Sequence, residues 1–97
     1  MLTNRPANSL NEILIAYVEK LGLLEEYELA QIINNWEALV GEKFAKESKP
    51  DTLKDGILSI RTKSSVWRVE LFCRREQIID KINTFRDKHI VKEMVIR

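Results

Sequence analysis

The sequence predicts a small α+β domain with the order helix, helix, strand, strand, helix, strand. Three observations carry this reading. Apolar residues recur at helical spacing over three stretches, about 10–21, 29–44 and 66–86. A strand-like alternation runs from Ile57 to Lys63, directly behind the turn dipeptide Asp55-Gly56. The last residues, Ile90 to Arg97, alternate weakly and are rich in β-branched side chains. A three-stranded sheet then buries one face under the third helix, and the first two helices complete the core.

Taken in order, residues 1–8 are polar, contain Pro6, and are expected to form a flexible N-terminus of a single 1–97 domain. Ser9 and Glu12 fit a capping box, followed by Leu10, Ile13, Leu14, Tyr17 and Leu21 on one helical stripe and Gly22 as C-terminal stop. Glu25, Glu26 and Glu28 favour the start of a second helix. Its stripe is Leu29, Ile32, Ile33, Trp36, Val40 and Phe44. Gly41 sits inside that stripe, either capping a helix near Val40 or allowing close contact with another element.

Lys49-Pro50-Asp51 ends the helix, because the residue before proline resists the α region. Thr52–Lys54 is a short strand that Pro50 assigns to a sheet edge. Asp55-Gly56 turns it into the strand Ile57–Lys63, with Leu58, Ile60 and Thr62 on one face and Ile57, Ser59, Arg61 and Lys63 on the other. Ser64 and Ser65 offer a cap to a third helix from about Val66 to Arg86, with Trp67, Leu71, Ile78, Ile82 and Phe85 on its stripe and Val69, Phe72 and Ile79 widening it. A crossover from the second to the third strand is right-handed if the two run parallel in one sheet.

The composition of the 97 residues is ordinary for a globular chain, 44% apolar and 32% charged. No apolar run approaches the roughly 18–20 residues of a membrane helix, and the first residues lack the apolar centre of a secretory leader. The single cysteine, Cys73, excludes an internal disulfide and suits a reducing, cytoplasmic setting; mid-helix, it reads as a small buried apolar residue. The net charge of +1 hides an asymmetry: residues 1–50 carry 5 Lys/Arg against 8 Asp/Glu, residues 51–97 carry 11 against 7. A basic C-terminal half is compatible with phosphate contact, and equally with a mixed solvated surface.

Catalysis has no residues to carry it. His89 is the one histidine and stands at a helix–strand junction, where a solvated role is the rule; Cys73 has no partner at metal-binding spacing. Neither phosphate-cradling glycine motif occurs. No catalytic, metal or cofactor site, and no small-molecule substrate, is expected. A binding surface is the better reading: Arg61, Lys63, Arg68, Arg74 and Arg75 form a basic rim with Trp67 beside it, the combination that holds single strands by stacking and charge. Against this, Trp67 shares the stripe of Leu71, Ile78 and Ile82, and Trp36 that of Ile32 and Val40, which favours core packing for both indoles.

The ordered landmarks Trp36-x-x-Leu39-Val40-Gly41, Phe44-Ala45, Ser48-x-Pro50, Leu53-x-x-Gly56-x-Leu58, Ser64/Ser65, Trp67, Leu71 and Ile82-Asn83 resemble the DciA family of bacterial proteins. The resemblance covers about residues 9–97. It implies a KH-like fold, similar to the N-terminal domain of the replication initiator DnaA. It implies a non-catalytic role in DNA replication: recruiting or loading the replicative DnaB-type helicase, with weak affinity for single- or double-stranded DNA. Trp36, Gly41, Pro50, Gly56, Leu58, Trp67 and Leu71 match the family pattern, and most read as fold-making; Trp67, at the strand–helix junction, is the first to test for function. Many family members carry a basic extension after the last strand, so a DNA or helicase grip of that kind is missing or relocated in these 97 residues. No G-x-x-G loop is present, so clamping of RNA in the manner of a true KH domain is not expected. The alternative is a single-stranded nucleic-acid-binding module that acts without the helicase.

Overall fold

The computed structural model describes residues 4–97, with side chains from Leu10 onward. These residues form helices α1 (Asn4–Lys20), α2 (Leu24–Asn34), α3 (Trp36–Val40) and α4 (Glu42–Glu47), strands β1 (Ser48–Lys54) and β2 (Ile57–Thr62), helices α5 (Ser65–Cys73) and α6 (Arg75–Arg86), and strand β3 (Glu93–Ile96). The α+β class and the element order stand. The second and third helical stretches are each divided.

The stretch expected to be flexible, residues 1–8, lies outside the described residues as far as Thr3; from Asn4 the backbone is helical. The helix therefore starts before Ser9, the expected cap. Pro6 is tolerated in the first turn, where an amide has no intrahelical acceptor in any case. At the other end the Gly22 amide bonds the Glu19 carbonyl and the Leu23 amide bonds that of Val18, the paired bonds that close a helix at a left-handed glycine.

The expected second helix breaks twice. Asn35 leaves the helical region at φ −118°, ψ 16°, and its side-chain Nδ2 donates to the Gln31 carbonyl at 2.9 Å. Gly41 has φ 94° and ψ 157°, a region that only glycine occupies without strain. It ends α3 and starts α4, and no atom lies within 4 Å of where a Cβ would sit, so the residue serves as a corner and not a close contact.

The sheet order is β1-β2-β3. β1 and β2 pair antiparallel through the turn at Asp55 (φ 54°) and Gly56 (φ 81°), both in the left-handed region that two-residue hairpins require. β1 is longer than expected and includes Pro50, which pairs with Ile60; the register shifts between Pro50 and Thr52. Proline is accommodated because β1 is an edge. β2 and β3 pair parallel, Leu58 opposite Met94 and Ile60 opposite Ile96. The α6–β3 connection is pinned by Asn83, whose Oδ1 accepts from the Ile90 and Val91 amides and whose Nδ2 donates to the Val91 carbonyl.

The third helical stretch bends at Arg74 (φ −105°, ψ 7°), whose amide bonds the Leu71 carbonyl three residues back. In a straight helix, Arg74 or Arg75 would share the face of Leu71 and Ile78. With the bend, Leu71 of α5 and Ile78, Ile79 and Ile82 of α6 lie in the core and the two arginines lie off it. Three expectations are corrected here: Val69, Phe72 and Cys73 are exposed rather than buried.

One face of the sheet, Leu53, Leu58, Ile60 and Met94, packs against Ile32, Trp36, Leu39, Leu71, Ile78, Ile79 and Ile82. Trp36 is thus a core residue, as its stripe suggested. The first helix does not complete this core. α1 meets α2, with Ile15 and Val18 half-buried, while Leu10, Ile13, Leu14, Tyr17 and Leu21 face water. Helices α2, α3, α5 and α6 supply the residues that pack on the core face of the three short strands, and the stripe of α1 stays outside that cluster. Among the described residues no helix is long and apolar enough to cross a membrane.

Candidate nucleic-acid and partner interface

Arg61 and Lys63 leave the end of β2 on the face opposite Ile60, as the alternation requires. Both are exposed and border a groove of about 630 Å³ between β1, the β2 end and helices α2–α4. The floor of the groove is fixed. The Trp36 indole Nε1–H donates to Ser48 Oγ at 3.1 Å, and the Ser48 hydroxyl donates to the Phe44 carbonyl. Arg61 is not a free cation: its Nη2 lies 3.1 Å from Asp51 Oδ2 on the bulged part of β1.

Two further cations, Lys46 and Lys49, line the same groove. Neither belongs to the expected basic rim. Lys49 stands directly opposite Arg61 in the hairpin register, and Lys46 lies 3.4 Å from Glu42 one turn earlier on α4. The sequence alone would not have found this pairing: an unbroken hairpin register sets Lys49 against Thr62, and only the slip beside Pro50 brings it opposite Arg61. Glu37 and Glu47 are the groove's carboxylates.

Trp67 is held on α5 by Ser64, whose Oγ accepts from the Trp67 amide at 3.5 Å. Its ring is half-buried and meets Phe44 of α4 edge to face, centroids 5.2 Å apart at 81°. The Arg74 guanidinium lies 5.2 Å from the centroid of the Phe44 ring. Trp67 therefore packs partly and presents one side, a position between core anchor and free platform. It lines two shallow clefts, one with Lys43, Val66 and Arg74, the other with Lys46 and Glu47. Lys46 and Glu47 also line the large groove. A continuous surface thus wraps α4, from Arg61 and Lys63 at one end to Trp67 and Arg74 at the other.

The other two rim residues fall outside this surface. Arg75 turns back on its own helix turn, with Nη1 donating to the Phe72 carbonyl at 3.2 Å, the guanidinium 4.1 Å from the Phe72 centroid and Glu76 at 4.0 Å. Arg68 is exposed on α5 and lines neither the groove nor the Trp67 clefts. Among the described residues no group of three or more His, Cys, Asp or Glu is placed to hold a metal ion. His89 is exposed in the α6–β3 connection.

The family profile described as Dna[CI] antecedent, DciA, matches residues 9–96. The chain belongs to the DciA family. Curated relatives carry the name UPF0232 protein. One from Corynebacterium glutamicum is 29% identical over 92 residues, covering 95% of this chain and 52% of its own. One from Mycobacterium tuberculosis is 29% identical over 65 residues, 67% of this chain and 35% of its own. One from Bifidobacterium longum is 38% identical over 55 residues, 57% of this chain and 35% of its own. The chain spans about a third to a half of the length of these DciA-family relatives. The residues that carried the resemblance, Trp36 through Asn83, lie within the matched span.

Proposed function

We propose that this DciA-family chain is a non-catalytic adaptor in DNA replication, which recruits or loads the replicative DnaB-type helicase and holds DNA weakly while doing so. The observation that carries the reading is the surface around α4: a groove edged by Lys46, Lys49, Arg61 and Lys63 that continues to the half-exposed Trp67. The two ends suit different contacts. The lysine-edged groove suits phosphates, which bind through charge and counterion release. The Trp67 end, with exposed Val66 beside the indole, suits a protein, because aromatic and apolar side chains in a partly desolvated cleft make the anchors of protein contacts. Arg74, lying against the Phe44 ring, belongs to the second end; Arg68 and Arg75 flank it.

The direct test is association of the purified chain with the cognate DnaB-type helicase, with and without Trp67→Ala. Binding at low-micromolar concentration that weakens on removal of the indole supports the reading; no association in that range counts against it. DNA contact is tested separately by fluorescence anisotropy with a labelled single strand across a salt series. Salt-dependent DNA binding without any helicase association supports the alternative, a nucleic-acid module acting alone.

A further inference from the structure

The outward stripe of α1 is unlike the scattered apolar residues normal on a protein surface. Leu10, Ile13, Leu14, Tyr17 and Leu21 are 48–68% exposed; the first four lie on one side of a 17-residue helix, and Leu21, the residue just past its end, continues their line. Glu12 and Glu19 lie on the opposite side, so the polar face is already assigned to water. Leu10, Leu14, Tyr17 and Leu21 are spaced 4-3-4, the repeat that lets two helices mesh along a seam. That spacing reads the same in both directions. A second helix laid antiparallel about a two-fold axis between Leu14 and Tyr17 brings Leu10 against Leu21 and Leu14 against Tyr17, twice over. The contact is then isologous and closes at two chains.

Charge selects the same occupant. The carboxylates of Glu12 and Glu19 on this helix disfavour an anionic lipid surface or a nucleic acid, both of which reward a basic polar face. The positions beside the stripe are Asn11, Val18 and Lys20, which place no like charges across an antiparallel seam. The stripe offers roughly 500 Å² of apolar surface per copy, so a pair buries roughly 1,000 Å² in all, at the lower edge of specific interfaces. We propose that the chain forms a weak antiparallel homodimer through the outward face of α1.

Sedimentation velocity of the 97-residue chain from about 1 to about 500 µM tests this, with a midpoint expected in the tens of micromolar. Leu14→Glu and Tyr17→Glu are each expected to weaken dimerisation at least about tenfold with an unchanged circular-dichroism spectrum, since both side chains are already exposed. Glu12→Ala, on the opposite face, is expected to leave it unchanged. A chain that stays monomeric throughout, or a dimer that tolerates both glutamates, overturns the proposal. Orientation is read in a Cys73→Ser background. A mixture of Leu10→Cys and a tagged Leu21→Cys chain is expected to give the mixed disulfide, and Leu10→Cys alone none; a Leu10→Cys homodisulfide overturns the antiparallel arrangement.

Discussion

Arg86, in the last turn of α6, donates its Nε–H to Glu28 Oε1 of α2 at 2.6 Å, and Glu28 is 2% exposed. The second carboxylate oxygen has no other hydrogen-bond partner and is met by the Lys88 ammonium at 3.2 Å. The Arg86 guanidinium also lies 5.8 Å from the Tyr27 ring centroid and 5.5 Å from that of Phe85. The hydrogen bond to Glu28 raises the arginine above its usual range against an opposing effect of burial. A cation raised in the folded state stabilises fully below its unfolded pKa and loses that stabilisation only as pH passes the folded value. The ionisation of Arg86 itself therefore brings no pH dependence below the arginine range. Arg86→Met leaves a buried carboxylate with Lys88 alone and is expected to cost about 3 kcal/mol in urea denaturation. Adding Glu28→Leu removes the stranded charge and is expected to recover most of that loss.

Asp51 neutralises Arg61 in the free chain. Asp51→Asn is expected to release Arg61 toward phosphate, tightening single-strand DNA binding and steepening the salt slope by roughly one unit. Lys63→Ala is expected to do the reverse, with a slope smaller by roughly one. Anisotropy titrations between low and moderate salt read both changes. Identical slopes in all three proteins would place the DNA contact elsewhere.

The two indoles report separately. Trp36 is sealed and bonded to Ser48, while Trp67 is half-exposed. In Trp36→Phe the remaining emission comes from Trp67 and is expected to be readily quenched by acrylamide; in Trp67→Phe the remaining Trp36 emission is expected to be protected. Trp36→Phe also removes the N–H that Ser48 Oγ accepts and is expected to cost about 1–2 kcal/mol. Helicase added to Trp36→Phe is expected to shield Trp67 from the quencher.

Gly41 occupies backbone space closed to other residues, although nothing crowds its missing side chain. Gly41→Ala is expected to destabilise by about 1–3 kcal/mol through backbone strain alone, seen as a lower urea midpoint at an unchanged slope. A neutral effect would mean that the α3–α4 corner relaxes at no cost.

The features legible in the sequence are those decided within a few residues. Asp55-Gly56, the Leu58/Ile60 alternation, the Ser64 cap and the edge position implied by Pro50 all follow from neighbouring side chains and backbone preference. The features missed are decided by distant contacts. Arg74 continues a good helical pattern, and nothing next to it in sequence marks the bend that leaves its guanidinium outside the core. The stripe on α1 reads as a core stripe in one dimension, because the sequence does not say that the other helices have already covered the sheet. Pro50 reads as a helix stop in one dimension, and the register slip beside it, which sets Lys49 against Arg61 instead of Thr62, has no local signature. The residues of the basic rim drawn along the sequence are divided by the fold: Arg61 and Lys63 share a groove, Trp67 and Arg74 both meet the Phe44 ring, and Arg75 lies over Phe72.

The proline in β1 and the register slip beside it have one more effect. Pro50 has no amide hydrogen to give, and the slip at Asp51 interrupts the row of backbone groups that an incoming chain would need to copy. Docking by strand addition is thus disfavoured along this margin, and the other margin among the described residues, β3, is four residues long. Visitors to this domain have to be met by side chains.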